Sequence, residues 1–195
     1  YVDTSPSFAL TNNVIDHNRA GSGDGVQVWG WESGPAQGAL THNTLADNGD
    51  GGPDEGLSAS GAVTLALTNN IIAGHGYGIY AMGGAVLTAD YTLSFANRIA
   101  DRHSGAATVN SSHEITGLDP LFANPAVGDY HLRSGSPAID AGHPAGVPPA
   151  PRVDIGADEA FRPGALRYLQ LPLAGRRQLL LPKDMPGLQI GEFGG

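Results

Sequence analysis

The sequence predicts an all-β solenoid, a parallel β-helix, and three observations carry that expectation. Three stretches repeat one another: Leu10-Thr-Asn-Asn13-Val-Ile15-Asp-His-Asn18, Leu40-Thr-His-Asn43-Thr-Leu45-Ala-Asp-Asn48 and Leu67-Thr-Asn-Asn70-Ile-Ile72-Ala-Gly-His75. Their aligned asparagines, Asn13, Asn43 and Asn70, are spaced by 30 and then 27 residues, a period that marks stacked repeats. Each repeat then continues into a glycine-led alternating run: Gly25-Val-Gln-Val28, Gly56-Leu-Ser-Ala59 and Gly78-Ile-Tyr-Ala81. Alternation with period two is the mark of a strand with one buried face, and no helical stretch separates the runs.

Each repeat therefore holds two or three short strands joined by turns. Stacking such coils sets like residues over like at about 4.8 Å. Leu10, Leu40 and Leu67 are expected to form one interior column, and Ile15, Leu45 and Ile72 another. Asn13, Asn43 and Asn70 are read as a turn ladder. Asn tolerates positive φ at a bend, and stacked amides bond the coils above and below. Thr88-Ala-Asp-Tyr91-Thr-Leu93 reads as a fourth, degenerate coil with Tyr91 in the Asn70 place, and residues 94–118 read as irregular and polar.

Composition narrows the function classes. The chain has 195 residues, 29 of them Gly and 14 Pro, and only 15% are charged. It contains no Cys, which excludes a disulfide framework and thiolate chemistry. The net charge is −9, and Lys183 is the only lysine. Nucleic acid and anionic membrane are therefore poor partners, since both need a basic face. No apolar run is long enough to span a membrane. Tyr1 stands only nine residues before Leu10, with no basic and apolar leader between them. The chain is accordingly read as the C-terminal piece of a longer protein, monomeric, with its N-terminal coils missing.

Beyond the coils lies a dense series: Asp119-Pro-Leu-Phe122, Gly128-Asp-Tyr-His-Leu132, Gly135-Ser-Pro-Ala-Ile-Asp-Ala-Gly142 and Asp154-Ile-Gly-Ala-Asp-Glu159. Gly and Pro mark successive turns, and the apolar residues are too sparse for a separate core. The organisation expected is coils over 1–118, a wrapping or capping segment over 119–160, and a tail over 161–195. In that tail, Tyr168-Leu-Gln-Leu-Pro-Leu173 and Leu179 to Leu181 suggest either a strand pair or a segment packed on the side of the β-helix.

This series resembles the terminal segment of bacterial right-handed parallel β-helix repeat proteins, the pectin-lyase-like superfamily. The resemblance covers roughly Phe8 to Glu159, with the four blocks in the family's order. The stretch Pro151-Arg-Val-Asp154 is shorter than the family's usual approach to its last block. The resemblance implies a right-handed parallel β-helix, export to the medium or cell surface, and a role on polysaccharide or cell-surface glycan. It does not imply one reaction, because the fold hosts lyases, hydrolases and non-catalytic surface proteins alike.

Three sites are candidates. Gly74-His75-Gly76 resembles the Gly-His-Gly motif of polygalacturonases, with Asp50 and Asp54 one coil earlier as candidate carboxylates. His75 also aligns with Asn18 and Asn48, however, which makes it a turn residue of the repeat. Second, Asp47, Asp50, Asp54 and Glu55 form the most acidic loop of the coils, a candidate calcium site; Asn48-Gly-Asp50-Gly51 matches only half of a calcium loop. The competing reading is a solvated excursion. Third, Trp29 and Trp31 flank Gly30. Facing outward they form a platform for sugar rings, which Tyr77 and Tyr80 extend; facing inward they fill the coil's open end. A base for elimination is not legible, since Arg19 is the sole Lys or Arg before Arg98. The function expected is a glycan-interacting or adhesive surface solenoid without a complete catalytic set. The alternative is a fragment of a polysaccharide lyase or glycoside hydrolase.

Overall fold

The computed structural model describes residues 7–19, 25–144, 153–157, 169–170 and 179–180. The coils follow one another along the chain. The first holds β1 (Ser7–Thr11), β2 (Val14–Asp16) and β3 (Val26–Gly30); the second β4 (Ala36–Thr41), β5 (Thr44–Ala46) and β6 (Glu55–Gly61). The third holds β7 (Val63–Thr68), β8 (Ile71–Ala73) and β9 (Tyr77–Met82); the fourth β10 (Val86–Asp90), β11 (Leu93–Phe95) and β12 (Ala100–Gly105). A fifth, incomplete coil holds β13 (Thr108–Ser112) and β14 (Ile115–Thr116). Three sheets result, in the orders β1-β4-β7-β10-β13, β2-β5-β8-β11-β14 and β3-β6-β9-β12. Every pairing among them is parallel. The architecture is a parallel β-solenoid of about four turns.

The interior columns lie where the repeat places them. Leu10, Leu40, Leu67 and Ala89 stack in register, as do Ile15, Leu45, Ile72 and Ser94. Gly38 breaks a third column of Phe8, Leu65 and Leu87, and the Phe8 ring fills the gap: a Cβ on Gly38 would lie 2.4 Å from it.

Residues 94–118 are coil, not irregular chain. Several of their interior positions are polar, which hides the repeat, although Val109 keeps its place in the Leu65–Leu87 column. Arg102 stands in the Leu57–Ile79 column and Glu114 in the Asn70–Thr92 column. The two form an ion pair at the last coil's open end. A guanidinium stem can cover apolar surface while its head stays polar, so the pair closes the stack.

Two turn columns organise the first and second sheets. The positive φ falls one residue before the ladder asparagines, at Asn12 (57°), His42 (54°), Asn69 (57°), Tyr91 (51°) and His113 (50°). The sequence reading assigned that conformation to Asn13, Asn43 and Asn70 themselves. They are not themselves at positive φ, and their amides bond the next coil. The same register sets Tyr91 over Asn69 and Thr92 over Asn70, so Tyr91 is not the Asn70 equivalent. Thr92 is buried, and its hydroxyl has no partner among the described residues.

The segment from Asp119 runs along the outer face of the second sheet. It contains β15 (Phe122–Asn124), a 3-10 turn (Pro125–Val127) and β16 (Asp129–Leu132), the two strands pairing antiparallel. Phe122, Tyr130, Leu132, Ala138 and Ile155 pack on the outward residues Ala46, Ile71, Ala73 and Leu93. Backbone bonds fasten it: Gly156 N–H to Asn69 O at 2.9 Å, and His143 N–H to Asn69 Oδ1 at 2.6 Å. Gly156, at φ 110°, lies so close to Ile71 that a Cβ would come within 2.7 Å of it. The segment wraps the solenoid's flank.

Residues Phe161–Gly195 form a separate compact unit. Within it β17 (Leu169–Gln170) and β18 (Leu179–Leu180) pair antiparallel, the strand pair anticipated from sequence. Tyr168, residues 171–173 and Leu181 lie outside the described residues, as do Asp158 and Glu159 of the fourth block.

Candidate functional site

His75 belongs to a second polar ladder. Between the second and third sheets, positive φ recurs at His17, Asp47, Gly74 and Ala96, and the residues that follow are Asn18, Asn48, His75 and Asn97. Asn18 donates from its backbone N–H to Asn48 Oδ1 at 3.1 Å, and Asn48 Nδ2 donates to Ile15 O at 2.9 Å. Those bonds fix the Asn48 amide, so its nitrogen faces His75 Nε2 at 3.1 Å. Asn97 is fixed likewise: Oδ1 accepts from His75 N–H at 3.2 Å, and Nδ2 donates to Ile72 O at 3.1 Å. His75 Nδ1 lies 3.3 Å from that Oδ1. The network requires a proton on Nδ1 and a bare Nε2, a neutral imidazole. The side chain is fully buried.

The glycines that lead the third sheet's strands face this ladder. A Cβ on Gly56 would lie 2.8 Å from the His75 ring and 2.8 Å from Gly78 O; one on Gly25 would meet Gly56 O at 2.2 Å. In the fourth coil the glycine place passes to Asp101, whose carboxylate accepts from Asn97 Nδ2 at 2.9 Å. The Gly motif in each repeat is thus the space in which the ladder's side chains sit.

The acidic loop does not gather its carboxylates. Asp54 is buried and turns back on its own loop, accepting from Gly51 N–H at 3.0 Å. Arg98, from the fourth coil, bonds Asp54 Oδ2 at 3.2 Å and Gly52 O at 2.7 Å. Asp50 is exposed, and Asp47 points the other way, to the wrapping segment. Glu55 stands at the start of β6. Among the described residues no three His, Asp or Glu side chains converge to hold an ion. The calcium grouping of Asp47, Asp50, Asp54 and Glu55 is therefore not assembled, because an arginine far away in sequence takes one ligand and a tyrosine engages another. His75, Asp50 and Asp54 are likewise not brought together as a catalytic set.

That tyrosine is Tyr130, which sequence reasoning did not single out. Its hydroxyl donates to Asp47 Oδ2 at 3.3 Å and lies 3.4 Å from His17 Nδ1. Burial, then the negative charges of Asp47 and Asp16, raise its pKa above the ordinary value near 10. A raised folded value means the neutral hydroxyl stabilises the fold below pH ~10, and this contribution is lost as pH rises through the folded value. In an alkaline absorbance titration, one tyrosine of the wild type should ionise only as the fold opens. Tyr130→Phe should remove that late step; an unchanged titration would refute it.

Trp29 and Trp31 face outward, 59% and 67% exposed. Their rings meet edge to face at 6.3 Å. Trp29 stands on the outer face of the third sheet, in register with Ser60 and Met82. Trp31 is presented by a tight turn in which it and Gly34 exchange backbone bonds at 3.2 and 2.9 Å. On the same face Tyr80 stacks on His103 at 4.7 Å with an interplanar angle of 12°, and Tyr77 abuts both at 5.1 and 5.5 Å. Ser58 lies in the Tyr80–His103 column. The face thus carries an aromatic group at each end and hydroxyls between them. No helix among the described residues is long and apolar enough to cross a membrane. No family model, curated protein or solved structure matches this chain.

Proposed function

We propose that this chain is a glycan-interacting solenoid, exported to the medium or cell surface of a bacterium, and that the outer face of its third sheet takes the sugar chain. The observation that carries the reading is the exposed Trp29–Trp31 pair on the same face as the Tyr77–Tyr80–His103 group. Aromatic faces stack on the apolar faces of sugar rings, and the half-buried Ser60 between them offers a hydroxyl. Trp29 and Tyr80 stand two coils apart, roughly 10 Å along the axis, which suits an oligosaccharide more than a single ring. Export and a bacterial source rest on the resemblance of the terminal blocks.

An acid–base role finds less support. His75 is enclosed in its ladder and Asp54 is held by Arg98. Affinity electrophoresis through gels of neutral and acidic polysaccharides tests the binding reading. Retardation is expected with at least one glycan, and Trp29→Ala with Trp31→Ala should abolish it while leaving the melting midpoint within a few degrees. Retardation that survives the double substitution would place binding elsewhere.

A further inference from the structure

Apart from the aromatic face, the wrapping segment and the second sheet flank a solvent-open cleft of about 220 Å3. A single water needs roughly 10–15 Å3, so the space admits an organic molecule. Its apolar surface includes Phe95 and Phe122. Gly74 makes room for one of its charges: a Cβ there would lie 2.2 Å from Asp47 Oδ1.

Three charged groups line the cleft: Asp47, Asp119 and Arg133. Neither carboxylate forms an ion pair with Arg133, whose Nε instead donates to Leu121 O at 3.4 Å. Asp119 Oδ1 accepts from Leu121 N–H at 2.8 Å. Both charges are thus anchored on one backbone residue, Leu121, held in a bend at φ 55°. Opposite charges are fixed around one cavity without neutralising each other. Asp47 is oriented by the Tyr130 hydroxyl on Oδ2.

We propose that this cleft binds a small zwitterion of the amino-acid type. Its carboxylate would meet Arg133, its ammonium would meet Asp47 and Asp119, and its apolar side chain would lie against Phe95 and Phe122. A guanidinium takes a carboxylate with paired charge-assisted bonds, and an ammonium satisfies two carboxylates at once. An inorganic anion would face two carboxylates against one arginine, and a neutral sugar would make no charge-assisted contact with any of the three.

Calorimetric titration of the full chain with leucine, phenylalanine, leucine amide and N-acetyl-leucine decides the matter. The free amino acids should bind, and each blocked compound should bind at least about tenfold more weakly, because leucine amide loses the pairing with Arg133 and N-acetyl-leucine those with Asp47 and Asp119. Arg133→Gln should erase the preference for leucine over leucine amide. Asp119→Asn should weaken the preference over N-acetyl-leucine. Both residues are exposed, and a thermal melt of each variant confirms that it folds. Absence of binding at millimolar ligand, equal binding of blocked and free compounds, or unchanged selectivity in Arg133→Gln would each overturn the proposal.

Discussion

Asn43→Leu should lower stability by about 3 kcal/mol and the melting midpoint by roughly 6–12 °C for a chain of this size. Asn43 is fully buried. Its amide nitrogen donates to Leu10 O at 2.9 Å and to Asn70 Oδ1 at 3.0 Å, while its Oδ1 accepts the backbone N–H of Asn13 at 3.0 Å. Leucine keeps the branched skeleton but is bulkier, so overpacking adds to the lost hydrogen bonds. It removes the partner of the part-buried Leu10 carbonyl and Asn13 N–H, and it takes one donor from the fully buried Asn70 Oδ1; a buried group left unpaired costs about 1–3 kcal/mol. Asn13→Leu serves as the internal control. Asn13 sits at the first coil with only part of its surface covered, so water replaces what it loses, and the cost should stay below about 1 kcal/mol. Thermal melts of the two variants give the comparison. Equal losses would mean that the ladder contributes no more in the interior than at the end.

The solenoid was legible because stacking makes the sequence its own template. Leu10, Leu40 and Leu67 recur for one physical reason, and nothing else in the chain competes with it. The fourth coil was legible only as far as Leu93, and residues 94–118 read as irregular, because that reason fades toward the end of the stack. Ser94, Arg102 and Glu114 take places filled earlier by Ile72, Ile79 and Asn70, and the end of a stack must present something polar. The bend was misplaced by one residue because Asn is favoured both for positive φ and for an inward amide, and here the two roles fall on neighbours such as Asn69 and Asn70.

The sites were less legible, and the cause is again specific. Asp47, Asp50, Asp54 and Glu55 are close in sequence, and proximity suggested a shared ion. Their true partners are Arg98, 44 residues beyond Asp54, and Tyr130, 83 residues beyond Asp47. No local pattern announces contacts of that range. Gly128-Asp-Tyr-His-Leu132 signalled only that the segment has a fixed shape. What it lies against depends on the outward residues of the second sheet, and Ala46, Ile71, Ala73 and Leu93 were the available sign. A sheet meant to face water would not carry apolar residues on both sides.

His75 offers the test that separates a ladder from a catalyst. His75→Leu should cost about 3 kcal/mol, since Asn48 Nδ2 loses an acceptor and Asn97 Oδ1 loses a ring donor in a buried place. His75→Asn should cost only about 1 kcal/mol, the penalty of a small void. Asparagine is the residue this column uses at Asn18, Asn48 and Asn97, and its amide can accept from Asn48 as the imidazole does. An acid–base role predicts the reverse emphasis. Asparagine cannot transfer a proton, so both variants would then lose activity equally, whatever their melting points. Wild type incubated with pectin, polygalacturonate and alginate, with and without Ca2+, should release neither reducing ends nor unsaturated products. Turnover that disappears in the well-folded His75→Asn variant would show that the imidazole does chemistry as well as bridging the coils. Thermal melts that rank asparagine near wild type and leucine far below it, with no turnover in any of the three, would assign His75 to the architecture alone.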